Sequence, residues 1–268
     1  MNASDTAEQV HESAWFDHAV RAGLIAYGVV HLLVAWLAVQ LALGDKEDQA
    51  SNSGALHYLA EQPFGEVLVW GVALGMLLLV VWRLLEFFFG YPGESDDMKR
   101  WRKRATSLGK AVIYGALGWS AVKVAMGDGS KGGTDGTTAK IMQLPGGQLM
   151  VGAIGLAIIG YGISLIVRGW TEKFREHLDA QGQCGQDGSA YVTLGKVGYI
   201  AKGVALGIIG GLFGYAAITH RAKESGGLDQ ALQTVLEQPF GPVMLTAIGL
   251  GIGAYGLFCF ASAKHLSR

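Results

Sequence analysis

Charged residues are scarce in this sequence: they make up 16% of its 268 residues, whereas 50% of the residues are hydrophobic. The charges are also unevenly placed, and several long stretches contain none. An average soluble domain carries about a quarter of its residues as charges. The composition therefore argues against an ordinary soluble domain and directs attention to the uncharged stretches.

The signals of a catalytic or metal site are missing as well. The two cysteines, Cys184 and Cys259, lie far apart in the chain and form no metal-binding or redox motif. There is no His-Glu-x-x-His pair, no Gly-x-x-x-x-Gly-Lys phosphate loop and no Gly-x-Ser-x-Gly elbow. Residues 1–19 hold no Lys or Arg, so they lack the basic start of a signal peptide. We therefore predict no catalytic residue, no metal site and no cofactor.

Six apolar runs are present instead, each long enough to cross a bilayer. A membrane-spanning helix needs about 20 predominantly apolar residues, and in lipid every backbone polar group must be paired within the segment. We therefore predict an all-α membrane protein with six transmembrane helices. The runs are Val20–Leu43, Phe64–Phe89, Leu108–Met126, Gly147–Val167, Leu194–Thr219 and Gly241–Ala263.

A repeat accompanies these runs. The stretches Ala55–Gly65 and Ala231–Gly241 are identical at seven of eleven positions, and both end in Glu-Gln-Pro-Phe-Gly. A middle copy, Thr138–Gly147, keeps the corner but reads Leu-Pro-Gly-Gly there. The repeat motif comprises Glu61, Gln62, Pro63, Phe64, Gly65, Pro145, Gly147, Glu237, Gln238, Pro239, Phe240 and Gly241.

Each copy of the repeat contains two spans, so successive copies enter the membrane from the same side. We predict three tandem parallel helix pairs in a pseudo-threefold bundle, with short amphipathic helices before the corners on the outer face. The predicted division is an N-terminal tail (1–19), repeat 1 (20–89), a basic loop (90–107), repeat 2 (108–170), a second loop (171–193), repeat 3 (194–263) and a C-terminal tail (264–268).

Lys and Arg are distributed unequally between the two predicted sides. Fifteen lie on the side of the termini and of the second and fourth loops, and six lie on the other side. Cytoplasmic loops are enriched in Lys and Arg, so we predict a multi-pass protein of the inner (plasma) membrane with both termini in the cytoplasm. One basic cluster is expected to bind anionic lipid headgroups rather than nucleic acid. It consists of Lys99, Arg100, Arg102, Lys103 and Arg104.

Three features together resemble a known family. They are the repeat Ala-Leu-x-x-Leu-x-x-Gln-Pro-Phe-Gly, the Arg83-Leu84-Leu85-Glu86 end of the second run, and Tyr255–Ala261 in the sixth run. Over roughly residues 16–263 the chain resembles the DUF1206 family of bacterial membrane proteins with three two-helix repeats. That family's function is unknown, so the resemblance implies architecture and location but supplies no site residues. The Leu144–Gly147 corner lacks the Gln and the Phe of the motif, so any role of that Gln-Phe pair is not shared by all three repeats.

His31 is the sharpest candidate functional residue. It lies near the middle of the first run, and Gly28, Ala35 and Ala38 share its helix face. A face of small residues usually meets another helix, so we predict that His31 points into the bundle. An ionisable group inside a membrane is costly and suggests a function. The alternative is a neutral histidine bonded to a carbonyl or to a tyrosine of a neighbouring helix.

Four further charges are predicted at the cytoplasmic face: Arg83, Glu86, Arg168 and Lys202. Arg83 and Glu86 are three residues apart and can form an ion pair on one helix, or part of a gate.

Three functions remain open from the sequence. The first is a non-enzymatic scaffold or accessory protein with a membrane-protein partner. The second is a small-solute carrier or channel that uses an axial cavity. The third is a haem-binding or proton-linked role centred on His31.

Overall fold

The fold is helical throughout the part of the chain that the computed structural model describes, which is residues 14–44, 50–89, 96–127, 134–177, 185–221, 225 and 227–265. Nine α-helices and one 3₁₀ helix lie within these ranges. The α-helices are α1 (Ala14–Ala42), α2 (Asn52–Ala60), α3 (Gly65–Phe89), α4 (Asp97–Ala125), α5 (Thr134–Met142), α6 (Gly147–Trp170), α7 (Gly185–Thr219), α8 (Leu228–Leu236) and α9 (Gly241–Lys264). The 3₁₀ helix, Lys173–His177, follows α6.

Five of the long helices are apolar enough to cross a membrane. They are α1 from His18, α3, α6, α7 from Gly188, and α9. Helix α4 is as long as α1 but does not belong to this set, because its first turns are highly charged and its apolar part contains Lys110 and Lys123. Five of the six predicted spans are therefore supported, and the sixth stays a prediction.

Two helices extend beyond their predicted spans. Helix α4 begins at Asp97, where the Asp96 carboxylate accepts hydrogen bonds from the backbone N–H groups of Met98 (3.0 Å) and Lys99 (3.2 Å). The prediction of a basic loop over 90–107 is therefore wrong for the described residues from Asp97 onward. Helix α7 likewise begins at Gly185 rather than at Leu194. In both cases the helix begins before the apolar run and includes the polar residues that precede it.

The long helices follow one another around the bundle in the order α4, α3, α1, α9, α7, α6. The most extensive interfaces are α6 with α7, α9 with α1, and α3 with α4, and these join one predicted helix pair to the next. Helices α1 and α3 also pack together, as do α7 and α9. Among the described residues, α4 and α6 share no comparable interface, so the bundle is open between them.

Glycines allow the closest of these helix contacts. At the α6–α7 interface, a methyl group placed on Gly162 would lie 2.7 Å from the carbonyl oxygen of Gly203. At the α9–α1 interface, Gly256 and Gly28 approach each other in the same way, at 2.9 Å. Because lipid provides no hydrophobic driving force between helices, such close backbone packing is a main source of their association.

The short helices close one end of the bundle. A nine-residue helix precedes each Pro corner. Leu56 and Leu59 of α2 and Leu232 and Val235 of α8 belong to the same buried cluster as side chains of α1, α3 and α9. We call this the corner end of the bundle. It is filled with apolar side chains.

The three corners share one backbone geometry. The N–H groups of Gly65, Gly147 and Gly241 donate to the carbonyl three residues earlier, at 2.7, 2.9 and 2.8 Å. A methyl group on any of the three would lie within 2.3 Å of a carbonyl oxygen of the preceding short helix. Only glycine therefore lets the chain turn from the short helix directly into the next long one.

The Gln and the Phe of the motif are present in only two of the three corners. The side-chain amides of Gln62 and Gln238 each donate to the carbonyl four residues earlier, both at 3.3 Å, whereas Leu144 has no such donor. Phe64 and Phe240 have positive φ angles of 62° and 61°. Gly146 occupies the same position in the middle corner, with a φ angle of 74°. The Gln-Phe pair is therefore not threefold in this structure.

Candidate functional site

A large cavity opens at the end of the bundle opposite the corners. Its volume is about 810 Å³, and all six long helices and the 3₁₀ helix contribute to its wall. Eight basic side chains line it, against two acidic ones, Glu86 and Glu176. Such an excess of one charge sign in a cleft with apolar walls concentrates ions of the opposite sign. The basic side chains are Arg83, Lys99, Arg102, Lys103, Lys110, Arg168, Lys173 and Lys202.

Five tyrosines line the inner part of the cavity. Tyr27, Tyr114 and Tyr199 come from the first long helix of each predicted pair, and Tyr161 and Tyr255 come from the second. Four of the five rings are in contact: the centroids of Tyr27 and Tyr114 are 5.1 Å apart, those of Tyr199 and Tyr255 are 5.2 Å apart, and those of Tyr27 and Tyr255 are 6.2 Å apart. We call these five residues the tyrosine floor.

Lys202 of α7 joins this floor to helix α1. Its amine donates to the Tyr27 hydroxyl at 2.5 Å and lies 4.1 Å from the centre of the Tyr255 ring. The sequence grouped Lys202 with the charges at one face of the membrane. The structure instead places its amine among aromatic rings inside the bundle, at the middle of α7.

His31 lies behind the floor and does not line the cavity. Its ring is 6% exposed, and its Nδ1–H donates to the carbonyl oxygen of Tyr27 at 2.8 Å. In the neutral ring this bond places the proton on Nδ1, so Nε2 is free of hydrogen and accepts from the Lys202 amine at 3.1 Å. Both ring nitrogens are thus occupied, and His31 offers no open position to a haem iron.

The cavity wall at α3 and α4 contains the predicted ion pair. The Arg83 guanidinium and the Glu86 carboxylate are 2.6 Å apart, and the Ser107 hydroxyl of α4 donates to the same carboxylate oxygen at 2.8 Å. Arg83 also stacks on the Trp82 ring at 3.8 Å. The pair therefore connects α3 to α4 in addition to bridging residues of one helix.

Arg168 of α6 lies on another wall, with its guanidinium carbon 5.8 Å from the centre of the Tyr199 ring. All four charges selected from the sequence, Arg83, Glu86, Arg168 and Lys202, thus line one cavity. Neither the tyrosine floor nor Lys110 was selected. The detectable signal was a tyrosine in the first turns of each odd apolar run, together with a lysine inside the third run.

The basic cluster at the start of α4 is divided by the fold. Lys99, Arg102 and Lys103 line the cavity, whereas Arg100 forms an ion pair with Asp97 at 3.1 Å. Arg104 does not line the cavity either. Three of the five side chains therefore line the same cavity as Lys110 and Arg168.

The remaining candidates lie elsewhere. All residues of the repeat motif are at the corner end, away from the cavity. Cys259 lines the cavity as a buried free thiol, and Cys184 falls outside the described residues. Within the described ranges, no group of three His, Cys, Asp or Glu side chains is placed to hold a metal ion.

Long apolar helices around a cavity that is closed at one end define this molecule as a helical membrane protein. The chain belongs to the family described as Domain of Unknown Function (DUF1206), whose sequence model matches residues 22–90, 105–172 and 197–265. The family resemblance identified from the sequence is thereby confirmed.

A similar protein is the uncharacterized protein YxxB of Bacillus subtilis (strain 168). It is 27% identical over 245 residues, which is 91% of this chain and 89% of that protein. No solved structure matches the chain. Neither the family description nor the name of the relative specifies an activity.

Proposed function

We propose that this protein is a membrane carrier that binds an anionic ligand in the cavity at its basic end. One observation carries the proposal: eight basic side chains and only two acidic ones line a cavity that reaches Lys202 inside the bundle. A scaffold has no need of a cavity with this volume and charge. The cavity therefore favours the carrier hypothesis over the scaffold hypothesis.

The architecture proposed for this carrier is six spans in three tandem helix pairs, arranged with pseudo-threefold symmetry. The three successive family matches support the three pairs. Helix α4 would be the sixth span. Two of its side chains in the apolar half, Val112 (65% exposed) and Trp119 (64% exposed), present an apolar surface suited to lipid. Lys123, near the end of the helix, can extend its amine to the interface.

The proposed orientation places the basic end and both chain termini in the cytoplasm, at the plasma membrane. The excess of Lys and Arg on that side supports it. In this orientation the cavity is open to cytoplasmic anions and closed toward the outside by α2 and α8. It corresponds to the inward-open state of a carrier.

Anion binding by the purified protein in detergent tests the proposal. Inorganic phosphate, citrate and glycerol phosphate are added separately, and the midpoint of thermal unfolding is measured. A ligand that binds only the folded state raises this midpoint as its concentration increases. We expect at least one of these anions to stabilise the protein, whereas matched concentrations of choline or arginine do not.

Two single-residue variants locate the binding. Lys202→Gln removes a positive charge from the cavity, and Lys264→Gln removes one from an exposed position at the same end of the bundle that does not line the cavity. We expect the first variant to lose the stabilisation by anions and the second to retain it. Equal responses of the two variants, or no response of the unmodified protein to any anion, would refute anion binding in the cavity.

A further inference from the structure

The bundle has a gap between α4 and α6, which share no extensive interface among the described residues. A side pocket of about 350 Å³ lies in this gap and is lined by Ala105, Thr106, Gly109, Lys110, Ile113 and Tyr161. Four of these residues, Thr106, Lys110, Ile113 and Tyr161, also line the main cavity. The two spaces therefore adjoin, and the main cavity has a lateral exit in addition to its basic mouth.

The lateral exit is bordered by apolar residues and could accommodate a hydrocarbon chain. Besides Thr106 and Lys110, its α4 side presents the small residues Ala105 and Gly109 and the apolar Ile113. Next to it on the outer surface, Val112 of α4 and Ile163 of α6 are 65% and 55% exposed. An opening that connects a polar cavity to an apolar outer surface suits a molecule with a charged head and an apolar tail.

Lys110 lies at the junction between the two spaces. Its side chain is half-buried, and the described part of the structure gives its amine no hydrogen bond or ion pair. Arg168 and Lys202 line the same cavity from α6 and α7. A phosphate group at this junction would meet positive charge from three helices, while a chain attached to it could leave between α4 and α6.

We propose that the ligand of the cavity is an anionic phospholipid, whose phosphate is held near Lys110, Arg168 and Lys202 and whose acyl chains pass between α4 and α6 into the bilayer. This inference rests on the anion-binding function proposed above and specifies its ligand class. A soluble anion uses the basic mouth alone and gives no role to an apolar lateral exit, whereas a phospholipid occupies both openings at once.

Competition between lipids tests this proposal. The purified protein is exchanged into mixed micelles containing equal amounts of phosphatidylglycerol and phosphatidylcholine, and retained lipid is counted by native mass spectrometry. We expect preferential retention of phosphatidylglycerol. Lys110→Gln is expected to lower that preference about fivefold, the effect of removing one basic group that attracts an anionic headgroup.

A matched pair of variants tests the lateral exit itself. Ala105→Leu places a bulky side chain in the exit, and Ala116→Leu makes the same change at an exposed position of α4 outside the exit. Ala105→Leu should lose retained phosphatidylglycerol, and Ala116→Leu should keep it. Both variants should keep the stabilisation by whichever of phosphate, citrate and glycerol phosphate stabilises the unmodified protein, because a soluble anion enters through the basic mouth.

The outcomes separate the two proposals. If phosphate, citrate or glycerol phosphate stabilises the protein but phosphatidylglycerol is retained no better than phosphatidylcholine, the lipid proposal is refuted and anion binding stands. If none of the three soluble anions stabilises the protein and phosphatidylglycerol is not preferred, both are refuted. Should Ala105→Leu fail to fold, a phosphatidylglycerol with a photoreactive acyl chain is used on the unmodified protein. Crosslinks to peptides of α4 and α6 support the proposal, and crosslinks spread evenly over all long helices contradict it.

Discussion

The α6–α7 interface makes a quantitative prediction about two glycines of one helix. A methyl group on Gly203 would lie 2.5 Å from the carbonyl oxygen of Gly162 and 2.6 Å from Cγ1 of Ile166. The same group on Gly211 would meet nothing within 4 Å. Gly203→Ala must therefore push two helices apart, whereas Gly211→Ala only changes the backbone preference of the helix.

The expected magnitudes follow from two opposing terms. Replacing glycine by alanine in a helix contributes about 1 kcal/mol of stability, and both variants share this gain. Overpacking a close interface costs about 1 to 3 kcal/mol, and only Gly203→Ala incurs this cost. Gly203→Ala should therefore be less stable than Gly211→Ala by about 1 to 3 kcal/mol, whatever the exact size of the shared gain.

The free energies of unfolding of the two variants are compared in one detergent, by titration from dodecyl maltoside into SDS. Circular dichroism at each step reports the loss of helix. A Gly203→Ala variant that is as stable as Gly211→Ala, or more stable, would show that α6 and α7 do not meet at Gly162 and Gly203.

Three further substitutions have defined consequences. Gly147→Ala places a methyl group 2.0 Å from the Ile141 carbonyl oxygen and should cost more than about 2 kcal/mol in the same titration; a near-neutral result contradicts the corner geometry. Asp96→Ala removes the cap of α4 and should cost about 1 kcal/mol, seen as faster amide exchange in its first turn; unchanged exchange there opposes the assignment of the helix start. Ser107→Ala removes a hydrogen bond to the Glu86 carboxylate and should cost about 1 kcal/mol, while Thr106→Ala, in which the lost bond is local to α4, serves as its control. Equal losses for these two would contradict a stabilising role of the Ser107–Glu86 hydrogen bond between α3 and α4.

The sequence predicts the long helices well because hydrocarbon imposes a simple rule on them. A run without charges must pair its own backbone, so the centres of five spanning helices follow directly from composition. Helix ends outside the hydrocarbon obey a different rule. The start of α4 depends on the Asp96 cap, and its charged first turns at Lys99–Arg104 can be helix or loop in water.

The corners are predictable because the same residues recur. Glycine at positions 65, 147 and 241 has one steric cause in all three corners. The contact between Lys202 and His31 is not predictable in this way. Helical periodicity shows which face of α1 carries His31. Its partner Lys202, however, lies 171 residues further along the chain, in α7. Pairing of that kind depends on the order of helices around the bundle.

The lateral opening is also beyond the sequence. Three similar repeats predict three similar helix pairs, and although α4 is more charged than the other long helices, its composition does not indicate which neighbour it packs against. The difference arises because α4 packs mainly on α3 and α6 mainly on α7, through contacts that include Ser107 and Gly162. Local sequence does not encode which of two available neighbours a helix prefers.

Thiol labelling from the two sides of the membrane tests the central claim most directly. In a background with Cys184→Ser and Cys259→Ser, Thr106→Cys places a thiol in the cavity wall and Gln238→Cys places one at an exposed corner. A negatively charged, membrane-impermeant thiol reagent should label position 106 only in inside-out vesicles and position 238 only in intact cells. Labelling of both positions from the same side would contradict a membrane-spanning bundle with its basic cavity at one end and its corners at the other.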